Sequence, residues 1–166
     1  GCHTISVPRI EPADGSDLVS LTHDAQADTH PPWSPDGAQI AFQSERAGRT
    51  DDIVVMRTDG SGLTNLTHDP AHDTTPAWSP DGKRIAFASE RPGDSDIIVM
   101  RADGTDPVNL TNNPADDGSP AWSPDGRWIA FVSNRAGNFD IFVMRADGGE
   151  VFNLTSNPAL DAEPAW

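Results

Sequence analysis

Apolar residues fall in short runs, each closed off by a turn-forming cluster. Ile97-Ile-Val-Met100 and Ile141-Phe-Val-Met144 are apolar at consecutive positions, with glycine a few residues away on either side. Consecutive apolar positions mean a strand covered on both faces, and the frequent Pro and Gly leave no room for a buried helix. A two-sheet sandwich would alternate apolar and polar residues more cleanly. The pattern parses into units of four strands. In one unit the first strand lies around Pro76-Ala-Trp78, the second over 84–89, the third over 96–101 and the fourth over 107–111. Ser79-Pro80-Asp81-Gly82 predicts a type I turn, with serine first, proline second and a merely preferred glycine fourth. Residues 90–95 predict a loop, and Ala102-Asp103-Gly104 a tight hairpin whose glycine needs φ > 0. Residues 112–119 cross to the next unit.

The unit recurs over 28–67, 73–111 and 117–155. Trp33, Trp78, Trp122 and Trp166 lie 45, 44 and 44 residues apart, and Asp14-Gly15, Asp59-Gly60, Asp103-Gly104 and Asp147-Gly148 keep the same step. A period of about 40–50 residues with several short strands per unit predicts an all-β propeller of four-stranded antiparallel blades. The chain holds about four units, three complete and one partial. Residues 1–13 read as an irregular segment, with Ile5-Ser-Val7 as a short strand, and 14–166 as propeller repeats. Leu18-Val-Ser-Leu21 matches later fourth strands, and Pro164-Ala-Trp166 matches a first strand. One blade then lacks its second strand. Open blade faces and edges invite association, so the strand count predicts a homo-oligomer, most simply a dimer, unless the chain is a piece of a longer protein.

The units WSPDGxxIAFxSxRxGxxDIxVMxxDG resemble the PD40 (WD40-like) repeats of the TolB-type propeller family, over residues 14–166. The resemblance implies antiparallel four-stranded blades, most often six per propeller, in extracytoplasmic bacterial proteins. It also implies binding roles, since TolB works at the outer membrane with a peptidoglycan-associated lipoprotein and bacteriocins. Such repeats occur too as accessory domains of peptidases and in polysaccharide lyases. The chain departs from TolB in lacking its separate N-terminal domain and in having fewer units.

Charge narrows the partners. The 166 residues carry a formal net charge of −15 and a pI near 4.3. That disfavours nucleic-acid phosphates and anionic membrane surfaces, and favours cations or basic protein surfaces. Cys2 is the one cysteine, so no internal disulfide forms; following Gly1, it could be the acylated remnant of a lipoprotein cleavage site, although a cut from a longer chain is the better explanation. No apolar run approaches the roughly 20 residues of a membrane span. Asn65-Leu-Thr67, Asn109-Leu-Thr111 and Asn153-Leu-Thr155 match a glycosylation pattern, but they recur because one strand recurs.

Strand direction puts the Ser-Pro-Asp-Gly and Asp-Gly turns on one end of the blades (the turn face) and the longer, more varied loops on the other (the loop face), where function usually resides. Asp28, Asp73, Asp117 and Asp161 each lie three residues before the proline opening an innermost strand. Carboxylates at the channel mouth would suit a hard cation such as calcium; the competing reading is a local hydrogen bond from each aspartate. Arg46, Arg91 and Arg135 recur as Ser-Glu/Asn-Arg and could each clamp an aspartate bidentately. Asp52, Asp96 and Asp140 read as structural closers of turns. His68-Asp69-Pro-Ala-His72-Asp73, and His23-Asp24 up to Asp28-Thr-His30, pair histidine with carboxylate, a weak transition-metal signal. No Gly-x-Ser-x-Gly elbow is present. The sequence thus points to a non-catalytic scaffold binding protein or peptide on the face bearing His68, His72, Glu90, Arg91, Asp94 and Asp116. Two alternatives stand beside it: a metal-assisted lyase or hydrolase using channel-face His and Asp, and an accessory propeller module of a larger protein.

Overall fold

The computed structural model describes residues 9–10, 19–22, 26–46, 50–91, 93–156 and 158–166; the side chains of Arg9, Ile10, Val19, Arg46 and Arg91 are outside that description. The proposed strand Ile5–Val7, together with Cys2, His23 and Asp24, lies outside the described residues. All regular structure among them is β. A small pair, β1 (Arg9–Ile10) and β2 (Val19–Ser20), precedes three antiparallel meanders. The first is β3 (Asp28–Thr29), β4 (Gln39–Arg46), β5 (Thr50–Arg57) and β6 (Thr64–Asn65). The second is β7 (His72–Trp78), β8 (Arg84–Arg91), β9 (Asp94–Arg101) and β10 (Val108–Asn109). The third is β11 (Asp117–Trp122), β12 (Trp128–Ser133), β13 (Asp140–Arg145) and β14 (Phe152–Asn153). In each sheet the strands lie side by side in chain order, as propeller blades do.

The core sits between blades, which explains the consecutive apolar runs. Ile98 and Met100 of β9 face the first blade and pack with Ala41, Ile53, Val55, Trp78 and Phe87. Ile97 and Val99, one residue out of phase, face the third blade and pack with Trp122, Ile129, Phe131 and Met144. Alternate side chains of one strand thus feed two different cores. Ile40, Phe42, Val54 and Met56 on the outer side of the first blade meet Leu21.

Two local expectations are corrected. The loop expected over 90–95 is shorter in the second blade, where β8 and β9 continue until Arg91 pairs with Asp94. In the third blade β12 stops at Ser133, because Asn134 turns aside to bond Asp116 through both its backbone and its side chain. The two turn types also prove to be one. Gly82 N–H donates to Ser79 O at 2.9 Å, and Gly104 N–H donates to Arg101 O at 2.9 Å. Gly82 has φ +68° and Gly104 φ +86°. Both are type I turns followed by a left-handed glycine, closing over three residues at Gly104 (Arg101 N–H to Thr105 O) and over four at Gly82 (Ser79 N–H to Arg84 O). Glycine at 82 is therefore required by its φ and not merely preferred.

Candidate functional site

The loop face is built from the start of each first strand, the β4–β5, β8–β9 and β12–β13 connections, and the crossings between blades. Its side chains come from different blades. The His72 ring, 46% exposed, stands 3.4 Å from the Asp51 carboxylate of the preceding blade. His72 and Glu90 are directly opposite in register, and both are exposed. His68 is exposed, Asp94 half-buried, and Asp116 exposed with its carboxylate accepting from Asn134 Nδ2 at 2.9 Å. The structure therefore brings Asp51, His72 and Glu90 together, with the exposed His68 on the crossing between blades.

The repeated aspartates are not laid open around the mouth. Asp28, Asp73 and Asp117 are 0%, 0% and 1% exposed, opposite Ser44, Ser89 and Ser133 in the ladders. β3 and β11 begin at the aspartate itself and β7 one residue before it, so each carboxylate is held inside the blade. Asp117 shows the arrangement. Nη2 of Arg135 donates to both carboxylate oxygens at 2.9 Å, and Asn113 Nδ2 donates at 2.9 Å. Arg135 Nε donates to Ser133 Oγ at 2.9 Å, and its guanidinium lies 5.1 Å from the Phe131 and Phe142 ring centres. The aspartate expected as a metal ligand and the arginine expected as a clamp are thus one pair, joined through a single nitrogen rather than a fork. Asp161 is half-buried and its N–H donates to Phe139 O. Among the described residues no group of three or more His, Cys, Asp or Glu could hold a metal ion.

Asp52, Asp96 and Asp140 hold the blade rim. Their carboxylates accept from Asn65, Asn109 and Asn153 at 2.8, 2.7 and 2.7 Å. The threonine two residues on accepts from Ile53, Ile97 and Ile141 N–H. The Asn-Leu-Thr triplet therefore fastens the short outer strand to its neighbour.

One ring was missed. The channel is a cavity of about 300 Å³ lined by His30, Thr75, Ser119 and Glu163 with Pro32, Pro76, Pro120 and Pro164. These four residues have φ of +53°, +49°, +50° and +56°. The left-handed bend coincides with a register shift between Thr74 and Ala77, and between Gly118 and Ala121. Such backbone costs of order 1–2 kcal/mol for a non-glycine residue, and is commonest where function needs it. The available signal was variation: His, Thr, Ser and Glu alternate at one position of an otherwise repeated motif.

On the turn face, Asp81 and Asp125 accept from Ser79 and Ser123 Oγ at 2.6 Å, which holds their carboxyls below the ordinary value. Asp36, Asp59 and Asp103 are lowered by the same hydroxyl bond. These aspartates serve the turns.

Known proteins share this architecture. A protein assigned as TolB from Agrobacterium tumefaciens is 28% identical with a TM-score of 0.80, over 90% of this chain and 54% of its own. TolB from Acinetobacter baumannii is 24% identical with a TM-score of 0.83, over 95% of this chain and 39% of its own. A puromycin-hydrolyzing peptidase of Mycobacterium tuberculosis shares the fold at 20% identity and a TM-score of 0.68, over 86% of this chain and 26% of its own. The chain thus spans about half or less of the TolB structures it matches. No curated protein matches it. The model of the TolB beta propeller domain, PD40, matches residues 64–166, more than half the chain. With its blades, inter-blade tryptophans and repeated turns, the chain belongs to the TolB β-propeller (PD40) family.

Proposed function

We propose that the chain is a non-catalytic binding scaffold that docks a protein or peptide with a basic surface on its loop face, in an extracytoplasmic bacterial setting. One observation carries this reading: the turn face sets six cationic side chains against its aspartates, while the described charged side chains of the loop face are mostly acidic. Asp51, Asp69, Glu90, Asp94 and Asp116 stand exposed or half-buried on the loop face. The described cationic side chain there is Arg135, which is spent on Asp117. Arg57, Lys83, Arg84, Arg101, Arg127 and Arg145 all lie on the turn face. The net charge of −15 is therefore felt most at the loops, where a basic partner would be steered in and held. TolB, by family resemblance, serves protein recognition, and the extracytoplasmic setting rests on the same resemblance.

The reading extends to self-association. Trp78 and Trp122, each in a complete described blade with another before it, are 8% exposed, whereas Trp33 and Trp166 are 47% and 55% exposed. Where no further blades of a longer chain lie against these ends, a second copy would cover them. The docking test is calorimetric titration with oligolysine and, as control, oligoglutamate. Oligolysine binding that weakens with salt and is lost in Glu90→Lys/Asp116→Lys supports the reading. Equal affinity for the two peptides, or binding indifferent to both substitutions, refutes it.

A further inference from the structure

The turn face holds a second site that the docking reading does not use. Between the second and third blades lies a cavity of about 420 Å³ lined by Arg84, Arg127, Trp128, Arg145, Ala146 and Asp147. Three guanidinium groups against one carboxylate make its lining net positive, in a chain of net charge −15. The arginines are poorly neutralised. Arg127 reaches Asp125 at 3.9 Å, and Arg145 reaches Asp147 at 3.6 Å and Glu150 at 3.9 Å, all between side chains at least half exposed. Contacts so long and so wet give way readily to a better anion. Asp125 and Asp147 are moreover occupied by their own turns, accepting from the backbone N–H of Arg127 and Gly149. Arg84 has the Trp122 ring 4.5 Å beneath its guanidinium and makes no ion pair among the described residues. That stacking fixes its plane.

The framework does not demand these residues. Gln39, Arg84 and Trp128 occupy one position in three successive blades, opposite Arg57, Arg101 and Arg145. Arginine directly opposite arginine, as at Arg84 and Arg101, works against the sheet. Trp128, half-buried at the cavity wall, packs by one side on the Phe152 ring at 6.3 Å between centroids. Together they supply what an anionic ring compound requires: forks for an oxyanion and a flat apolar surface beside them.

We propose that this groove binds a small ligand carrying a phosphate or carboxylate next to a flat ring, with Arg84, Arg127 and Arg145 on the oxyanion and Trp128 against the ring. The test uses phenyl phosphate, benzoate and neutral benzyl alcohol, followed by tryptophan fluorescence and calorimetry. Phenyl phosphate or benzoate should bind saturably, more weakly as salt rises, and benzyl alcohol should not. The stronger of the two identifies the oxyanion. Arg127→Ala and Arg145→Ala should each weaken binding about tenfold, Trp128→Leu should weaken it too, and Arg57→Ala, outside the groove, should leave it unchanged. Arg127 is 82% exposed, so its loss does not threaten the fold, and it decides the matter should another variant fail to fold. Absence of saturation by either anion up to about 20 mM, or affinity unchanged in Arg127→Ala, overturns the proposal. Both outcomes are independent of oligolysine binding on the opposite face.

Discussion

Arg135 and Asp117 form an ion pair that is mostly withdrawn from water, at 23% and 0% side-chain exposure. Removing one partner leaves the other as an uncompensated buried charge, which costs more than the pair itself contributes. Arg135→Ala should therefore lower the stability by about 3 kcal/mol, measured by urea unfolding. Asp117→Asn combined with Arg135→Met should recover part of the loss, since neither residue of that pair needs a counter-ion. A loss in Arg135→Ala no larger than that of an exposed arginine such as Arg127 would show that Asp117 is not held as described. The Asn-Leu-Thr triplets make a related point. Asn109 and Thr111 both bond the buried Asp96 carboxylate, so the triplet is explained by the blade rim alone.

At the scale of the element, the hairpins separate two roles of glycine. Both Gly82 and Gly104 are left-handed, so any side chain there pays about 1–2 kcal/mol in backbone strain. They differ in surroundings. A Cβ on Gly82 would have its nearest neighbour at 3.7 Å, on Pro35, whereas one on Gly104 would stand 3.1 Å from the carbonyl oxygen of Leu66. That carbonyl belongs to the preceding blade and cannot move alone. Gly104→Ala should accordingly cost more than Gly82→Ala, as read from the two melting temperatures. Equal losses would mean that the blades are free to part at Leu66. The same contact shows how a turn inside one blade sets the spacing to the next.

For the molecule as a whole, stacking is what buries the core. Blades meet through apolar faces, and two of the inner tryptophans donate back to the preceding blade, Trp122 Nε1 to Ala77 O at 3.2 Å and Trp166 Nε1 to Ala121 O at 3.0 Å, whereas the buried Trp78 Nε1 makes no such bond. Trp166 is nonetheless half exposed, and Leu160 is 75% exposed. Apolar surface of this kind favours association through sheet faces. Light scattering should return a mass above the 17.7 kDa of one chain at micromolar concentration. A folded, unaggregated species of single-chain mass would count against the self-association proposed above.

The sequence by itself determined the blade. Runs such as Ile97-Ile-Val-Met100 and the Pro-Asp-Gly punctuation are local signals, read within a few residues, and the 44- to 45-residue step repeats them often enough to exclude other architectures. It also marked Asp117 as a cation ligand or local hydrogen-bonder and Arg135 as a clamp on an aspartate, without joining the two. Their burial was not legible, because side-chain direction at a strand start depends on where that strand begins. Only the tertiary structure decided the ring of His30, Thr75, Ser119 and Glu163, the sorting of charge between faces, and the groove of Arg84, Arg127, Trp128 and Arg145. The ring joins residues one blade apart in the chain, and the groove joins Arg84 of the second blade to Arg127, Trp128 and Arg145 of the third. Their proximity follows from how one sheet packs on the next, through contacts such as Trp122 on Ala86 and Val99, and no local pattern encodes that geometry.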